Sequence, residues 1–307
     1  MSEKNTTLSE AGADGLLARA SNIRCVYGGG EKDFTAVDGV SLELREGEIL
    51  GLAGESGCGK TTLGNALAMI ATPPLYVLSG TLEIDGERID LSTLSVADLK
   101  RHRPYRGRLV SMLPQGAMNS ISPTLRIRSL VRDVMRAHDP RFSADEALDL
   151  ARDRLKMLEM PVRVLDSYAH QLSGGMKQRM ITVISTLQNP RLLIADEPTS
   201  ALDVSSQRML VEMLLAMVEE RIMSGVVFVT HDLPVLSQVS DRLAIMNSGR
   251  IVETGPTRKL VEDPQHDYTS VLLSSVLDPS HETRDRGRAR RIVSEPAQNV
   301  SEKEVGA

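Results

Sequence analysis

Hydrophobic residues in this chain fall into runs of three kinds. Short, nearly unbroken runs stand at 48–53 (Glu48 to Ala53), at Leu192 to Ala195 and at Val226 to Val229. Runs of that length, closed by turn residues and lacking polar alternation, suit strands buried on both faces of a parallel sheet. Between them, apolar positions recur at three- and four-residue spacing. Ser143 and Glu146 have capping-box spacing, and Leu148, Ala151, Leu155 and Leu158 then share one face before Pro161, which predicts a helix ending there. Met176 to Leu187 and Ser206 to Arg221 read as two further helices. The third kind alternates. Thr81 to Ile89 turns at Asp85-Gly86, and Leu243 to Glu253 turns at Asn247-Ser248-Gly249, so both predict hairpins. The expected class is α/β, with a parallel-sheet core and an antiparallel β lobe, and no internal repeat is visible.

Composition adds limits. The 307 residues suffice for one large domain with a subdomain, and 41% apolar with 25% charged residues is ordinary globular usage. Net charge is −5, there is no Trp, and aromatics make up 3%, which argues against a nucleic-acid partner. Cys25 and Cys58 form no disulfide framework or tetrathiolate site. No apolar run reaches the ~20 residues that span a bilayer. Residues 1 to about 18 read as a disordered leader, polar and acidic with no signal-peptide pattern, and the stretch from about 281 to 307 reads as a charged flexible tail.

The candidate chemistry begins where the first strand ends. Gly54-Glu55-Ser56-Gly57-Cys58-Gly59-Lys60-Thr61, followed by Thr62, matches the phosphate-loop pattern between an apolar strand and a helix-capable run. Its glycines let backbone N–H groups converge on phosphate oxygens, Lys60 brings an ammonium to the β- and γ-phosphates, and the Thr61 hydroxyl suits Mg²⁺. The run at 192–195 ends in Asp196 and Glu197, a carboxylate to organise Mg²⁺ and one to polarise an attacking water. Leu172-Ser173-Gly174-Gly175 then opens a second helix with an anion-binding start. One ATP does not need two such loops, so the second is expected to serve the ATP of another subunit.

These motifs, in this order, resemble the ATP-binding cassette (ABC) ATPases across residues 20–275. The resemblance implies an ABC-type P-loop NTPase over 19–280, with a helical subdomain at about 118–185. It makes Ser173 to Met176 part of the signature motif and Gln115 the glutamine that senses the γ-phosphate and Mg²⁺. Asp203, after Ser200, becomes the dimer-seam aspartate, His231 the switch histidine, and Tyr27 the aromatic that stacks on adenine. ATP and Mg²⁺ are the implied ligands, with Thr61, Gln115 and Asp196 at the metal.

Two further stretches are similar to the dipeptide, oligopeptide and nickel importer branch. They are Pro114 to Thr124, and Asp263 to Thr269 with Leu272 and Leu273, inside a C-terminal family segment at about 255–280. The branch implies two transmembrane permease subunits, a second cassette (identical or paralogous), an extracytoplasmic solute-binding protein met indirectly, and a peripheral place on the cytoplasmic face of the inner membrane. Peptides, nickel, oligosaccharides and other small solutes stay open as cargo. Members often carry C-terminal cysteines for an iron–sulfur cluster; none follows Cys58, so no cluster is expected. Cys58, at a helix start, reads as a small filler or as a thiol of lowered pKa.

Overall fold

The computed structural model describes residues 15–28, 33–94, 99–117 and 121–274. Two sheets organise it. The first is antiparallel, of order β2-β1-β4-β5, made of β1 (Leu16–Tyr27), β2 (Phe34–Arg45), β4 (Leu75–Ile84) and β5 (Glu87–Asp90). Its strands alternate buried and exposed residues, and register shifts break that period between Ala20 and Ile23 and again at Cys25. The β4–β5 turn is the expected Asp85-Gly86 pair.

The second sheet has the order β10-β9-β3-β8-β7-β6. Its strands are β3 (Glu48–Ala53), β6 (Val110–Leu113), β7 (Leu192–Asp196), β8 (Gly225–Val229), β9 (Arg242–Asn247) and β10 (Arg250–Pro256). All pairings are parallel except β9–β10, the hairpin expected at 247–249. Every residue of β3, β7 and β8 is buried, which is why their sequences read as unbroken apolar runs. Register sets the site. Leu113 pairs with Ala195, Asp196 with Val229, and Leu52 with Val229, so four strands end along one edge. The loops leaving that edge begin at Gly54, Thr230, Glu197 and Pro114. In open parallel sheets this carboxyl edge is where ligands bind.

Helices cover both faces. Helix α1 (Lys60–Leu67) sends Leu63, Ala66 and Leu67 into the cluster shared with the antiparallel sheet, Leu50 and Leu52. The other face, with Ile49, Ala53 and Phe228, packs on α6 (Val204–Glu219), α7 (Leu233–Val239), α8 (Thr257–Glu262) and α9 (Asp267–Ser274). Helix α2 (Leu99–His102) is a single turn. A third cluster joins α3 (Ile127–His138), α4 (Ala144–Met157) and α5 (Gly174–Ser185) around Val131, Leu148, Leu155 and Met180.

Several boundaries differ from expectation. The leader does not extend to 18 as a polar segment. β1 starts at Leu16, because Leu17 and Ala18 are buried while Arg19 pairs outward with Glu43. Ser143 and Glu146 form the expected capping box, worth about 1 kcal/mol. Pro161, however, does not stop that helix. It ends at Met157, and Glu159 turns the chain with a left-handed φ of 53°. Helix α5 begins at Gly174 rather than Met176, and α6 at Val204 rather than Ser206, because Ser173 and Asp203 cap them earlier. Residues 1–14, part of the segment at 114–124 (118–120), and the tail after 280 lie outside the described residues.

Candidate functional site

The phosphate loop leaves β3 through Gly54, whose φ is +151° and whose added Cβ would lie 2.2 Å from the Met246 carbonyl oxygen. Gly59 repeats the constraint, with φ +109° and an added Cβ 2.2 Å from the Ala36 carbonyl oxygen. No side chain fits either position. Gly59 is also the N-cap of α1, so no side chain caps that helix, and its first turn holds no acidic residue. The opening N–H groups and the positive dipole end are left for an anion.

Lys60 is buried, and its Nζ donates to the carbonyls of Gly54 (2.7 Å) and Glu55 (2.9 Å). The Thr61 hydroxyl donates to Asp196 Oδ1 at 3.2 Å. Asp196 is 1% exposed, and its Oδ2 has no hydrogen-bond partner among the described residues. Burial pushes its pKa up to about 6; the Glu197 charge adds to the rise, while the Thr61 bond and Lys60 oppose it. A buried oxygen with no partner costs free energy unless a ligand takes it. An Mg²⁺ ion beside the Thr61 hydroxyl suits that oxygen, since Mg²⁺ takes one or two carboxylates plus substrate phosphates.

Glu197 adopts a left-handed φ of 48°, a strain the surroundings impose. Its Oε2 accepts from the Thr230 hydroxyl and its Oε1 from the His231 backbone N–H, both at 3.2 Å. His231 Nδ1 lies 2.7 Å from the same Oε1. The carboxylate is nearly buried while His231 is mostly exposed. One edge thus brings together Lys60, Thr61, Asp196, Glu197 and His231. Gln115 stands exposed just beyond β6, the strand beside β7, so it leaves the sheet next to Asp196. Ser56 and Gly57 are exposed on the loop crest, and Thr62 is buried. Tyr27 ends β1 half-buried, and its hydroxyl shares a 3.1 Å hydrogen bond with Thr62.

Ser173, Gly174 and Gly175 lie elsewhere. Among the described residues no hydrogen bond joins them to the phosphate loop. The Ser173 hydroxyl caps α5 by accepting from the Met176 N–H at 3.2 Å. An added Cβ on Gly175 would lie 2.6 Å from Ser206 Oγ. That hydroxyl and the Ser206 N–H both donate to Asp203, at 2.9 Å. Hydrogen bonds from Ser205 and Ser206 bring the pKa of Asp203 down to about 2. Asp203 and Gly175 therefore meet through Ser206, a residue that sequence reasoning did not single out. It also missed Thr230. Cys58 agrees with the small-filler reading: it is buried, and desolvation raises its thiol pKa although Lys60 pulls the other way. The low-pKa reading does not hold.

Comparison with known proteins now decides the family. The "ABC transporter" family model matches residues 37–200, and the model "Oligopeptide/dipeptide transporter, C-terminal region" matches residues 252–303. The chain belongs to the ABC transporter family. It binds ATP and hydrolyses it. The cassette is 35% identical over 263 residues to the dipeptide transport ATP-binding protein DppD of Caldanaerobacter subterraneus, covering 85% of this chain and 79% of that one. It is 37% identical over 253 residues to the oligopeptide transport ATP-binding protein OppD of Bacillus subtilis, covering 81% and 68%. Among solved structures, it resembles an ATP-binding cassette determined as a dimer in a post-hydrolysis state with ADP and Pi. The TM-score is 0.65 and the identity 27%, over 79% of this chain and 99% of that chain.

Proposed function

We propose that this cassette powers an importer of peptides or a related small solute, working as one of a pair at the cytoplasmic face of a membrane. The relatives named for dipeptide and oligopeptide transport support the cargo class. Among the described residues no helix is long and apolar enough to cross a membrane. Two permease subunits carry the solute across. A mainly apolar cleft of about 490 Å³, lined by Met112, Ile121, Leu130 and Ile184 and also by Arg106 and His138, is suited to a permease helix. A solute-binding protein delivers the cargo from outside.

The observation that carries the catalytic part is the buried, partner-less Asp196 Oδ2 beside Thr61, with Glu197 one residue on. Thr61, Asp196 and Gln115 would hold Mg²⁺, which offsets the charge that develops on the phosphate oxygens. Gly54 to Thr62 and Lys60 cradle the phosphates, and Tyr27 lies against the adenine. Glu197 accepts a proton from water as the water oxygen bonds to the γ-phosphorus and the bridging bond to ADP breaks. His231 contacts the γ-phosphate from beside Glu197. Ser173, Gly174 and Gly175 complete the ATP site of a second cassette, with Asp203 at the seam.

Glu197→Gln keeps the shape and removes the base. MgATP affinity should stay within about twofold while kcat falls by about 100-fold or more. Hydrolysis near the wild-type rate would overturn the assignment of Glu197. The cargo class is read by purifying the intact complex from membranes and identifying the ligand on its solute-binding protein; a non-peptide ligand would move the cassette to another branch.

A further inference from the structure

The C-terminal region reaches the phosphate loop. Helix α9 packs Leu273 into the second cluster beside Ala53 and Ile245, with Tyr268 and Leu272 against its rim. The turn before it is fixed from β10. Glu253 accepts from the N–H groups of Gln265 (2.9 Å) and His266 (3.1 Å), and His266 Nδ1 accepts from the Tyr268 N–H at 3.1 Å. Held this way, the Tyr268 hydroxyl accepts a hydrogen bond from the Glu55 N–H at 3.1 Å, across 213 residues of sequence.

That bond falls at the loop's least supported part. Glu55, Ser56 and Gly57 are exposed, and an added Cβ on Gly57 would meet nothing within 4 Å. The carbonyl of Glu55 receives Lys60 Nζ at 2.9 Å, as that of Gly54 does at 2.7 Å, and it also accepts from the Cys58 N–H at 3.3 Å. Lys60 therefore holds both peptide groups of Glu55 by their carbonyls from within the loop, and Tyr268 holds the N–H of the first from outside it. A loop ordered before its ligand arrives loses less conformational entropy on binding.

We propose that Tyr268 is a positioning residue: its hydroxyl holds the Glu55 peptide in the shape that receives nucleotide phosphates, and so couples the docking of α9 to nucleotide affinity. Because such coupling is reciprocal, bound nucleotide tightens the docking of α9 in turn.

The test uses the full-length chain and Tyr268→Phe, which keeps the ring in its packing and removes only the oxygen. The Kd and KM for MgATP should rise about 3- to 10-fold, the range of one hydrogen bond, with kcat unchanged. Glu55→Pro deletes the donor and should lose affinity similarly; adding Tyr268→Phe to it should then cost nothing further. Hydrogen exchange at the Glu55 amide gives the same answer if the proline variant does not fold: slow in the wild type, fast in Tyr268→Phe. Unchanged affinity in Tyr268→Phe, whether or not its melting temperature falls, or an undiminished loss on top of Glu55→Pro would overturn the proposal. Equal exchange rates would do the same.

Discussion

At Gly59–Lys60 a helix start is walled in by protein, whereas at Ser173–Gly174 the start faces outward. The first has no side-chain cap, a buried lysine, and the carboxylates Asp196 and Glu197 at the same sheet edge. The second caps itself with Ser173, stands exposed, and touches Asp203 only through Ser206. Both first turns lack acidic residues, so both favour an anion. The difference lies in how much each needs from outside the chain. The phosphate-loop half gathers its lysine, hydroxyl and carboxylates within one chain. On the proposed reading, the signature half is completed by a nucleotide held by another cassette.

The comparison breaks hardest at Ser173. Ser173→Arg removes the α5 cap and places a cation where the helix dipole disfavours one. In a paired assembly, hydrolysis should fall about 100-fold or more, as for loss of a transition-state contact. Binding of nucleotide by the same chain should stay within about twofold of wild type, because nothing bonds Ser173 to its own loop. Equilibrium binding on the isolated chain and turnover on the assembly separate the two. A matching loss of binding would mean that the two halves are coupled inside one chain.

Much of the phosphate-loop half was legible in the sequence, because its pieces are local. Gly54 to Thr62, Asp196 with Glu197, and His231 each sit at a strand end, and strands buried on both faces betray themselves as unbroken apolar runs. β1 and β2 were not legible. Their apolar residues alternate with Arg19, Ser21, Asn22 and Arg24, and register shifts spoil even that period. Contacts across the fold were equally hidden. Tyr268 meets Glu55 only after α9 is docked, and Ser206 meets Gly175 only after α5 and α6 pack. No spacing encodes either contact. Thr230 could have been found, since a hydroxyl at a strand end beside a strand ending in two carboxylates is a natural donor.

Asp196 sharpens the comparison through stability. Its pKa is raised by burial, so between its unfolded value of 3.8 and about 6 the folded chain binds the extra proton. Stability therefore falls as pH rises through that window, and the ionised carboxylate costs the nucleotide-free cassette ~3 kcal/mol at neutral pH. Asp196→Asn should raise the nucleotide-free melting temperature at pH 7 by several degrees, about 2–4 °C per kcal/mol at this size. It should also flatten the melting profile between pH 4 and pH 7 and abolish the stabilisation that MgATP gives. Exposed Ser173 has no such reserve, and Ser173→Ala should only destabilise. A destabilised Asp196→Asn at neutral pH would show that the carboxylate is compensated by something other than a ligand.

Thr230 carries the smallest effect and the finest distinction. It is buried, and its hydroxyl donates to Glu197 Oε2 at 3.2 Å while accepting from the Asp232 N–H at 3.1 Å. Thr230→Val keeps the volume and removes both bonds. Glu197 would still accept from the His231 N–H, so it stays near its place but loses one of the donors that hold its left-handed backbone and carboxylate in register. A hydrogen bond to a charged group is worth ~1.5 kcal/mol, which predicts a drop in kcat of about tenfold. KM should not move, because Thr230 makes no bond to the phosphate loop. Thr230→Ser restores the hydroxyl without the methyl and should recover most of the rate. A KM effect without a kcat effect would place Thr230 with the nucleotide-holding residues rather than with the base, and would redraw the line between holding ATP and cutting it inside the walled-in half.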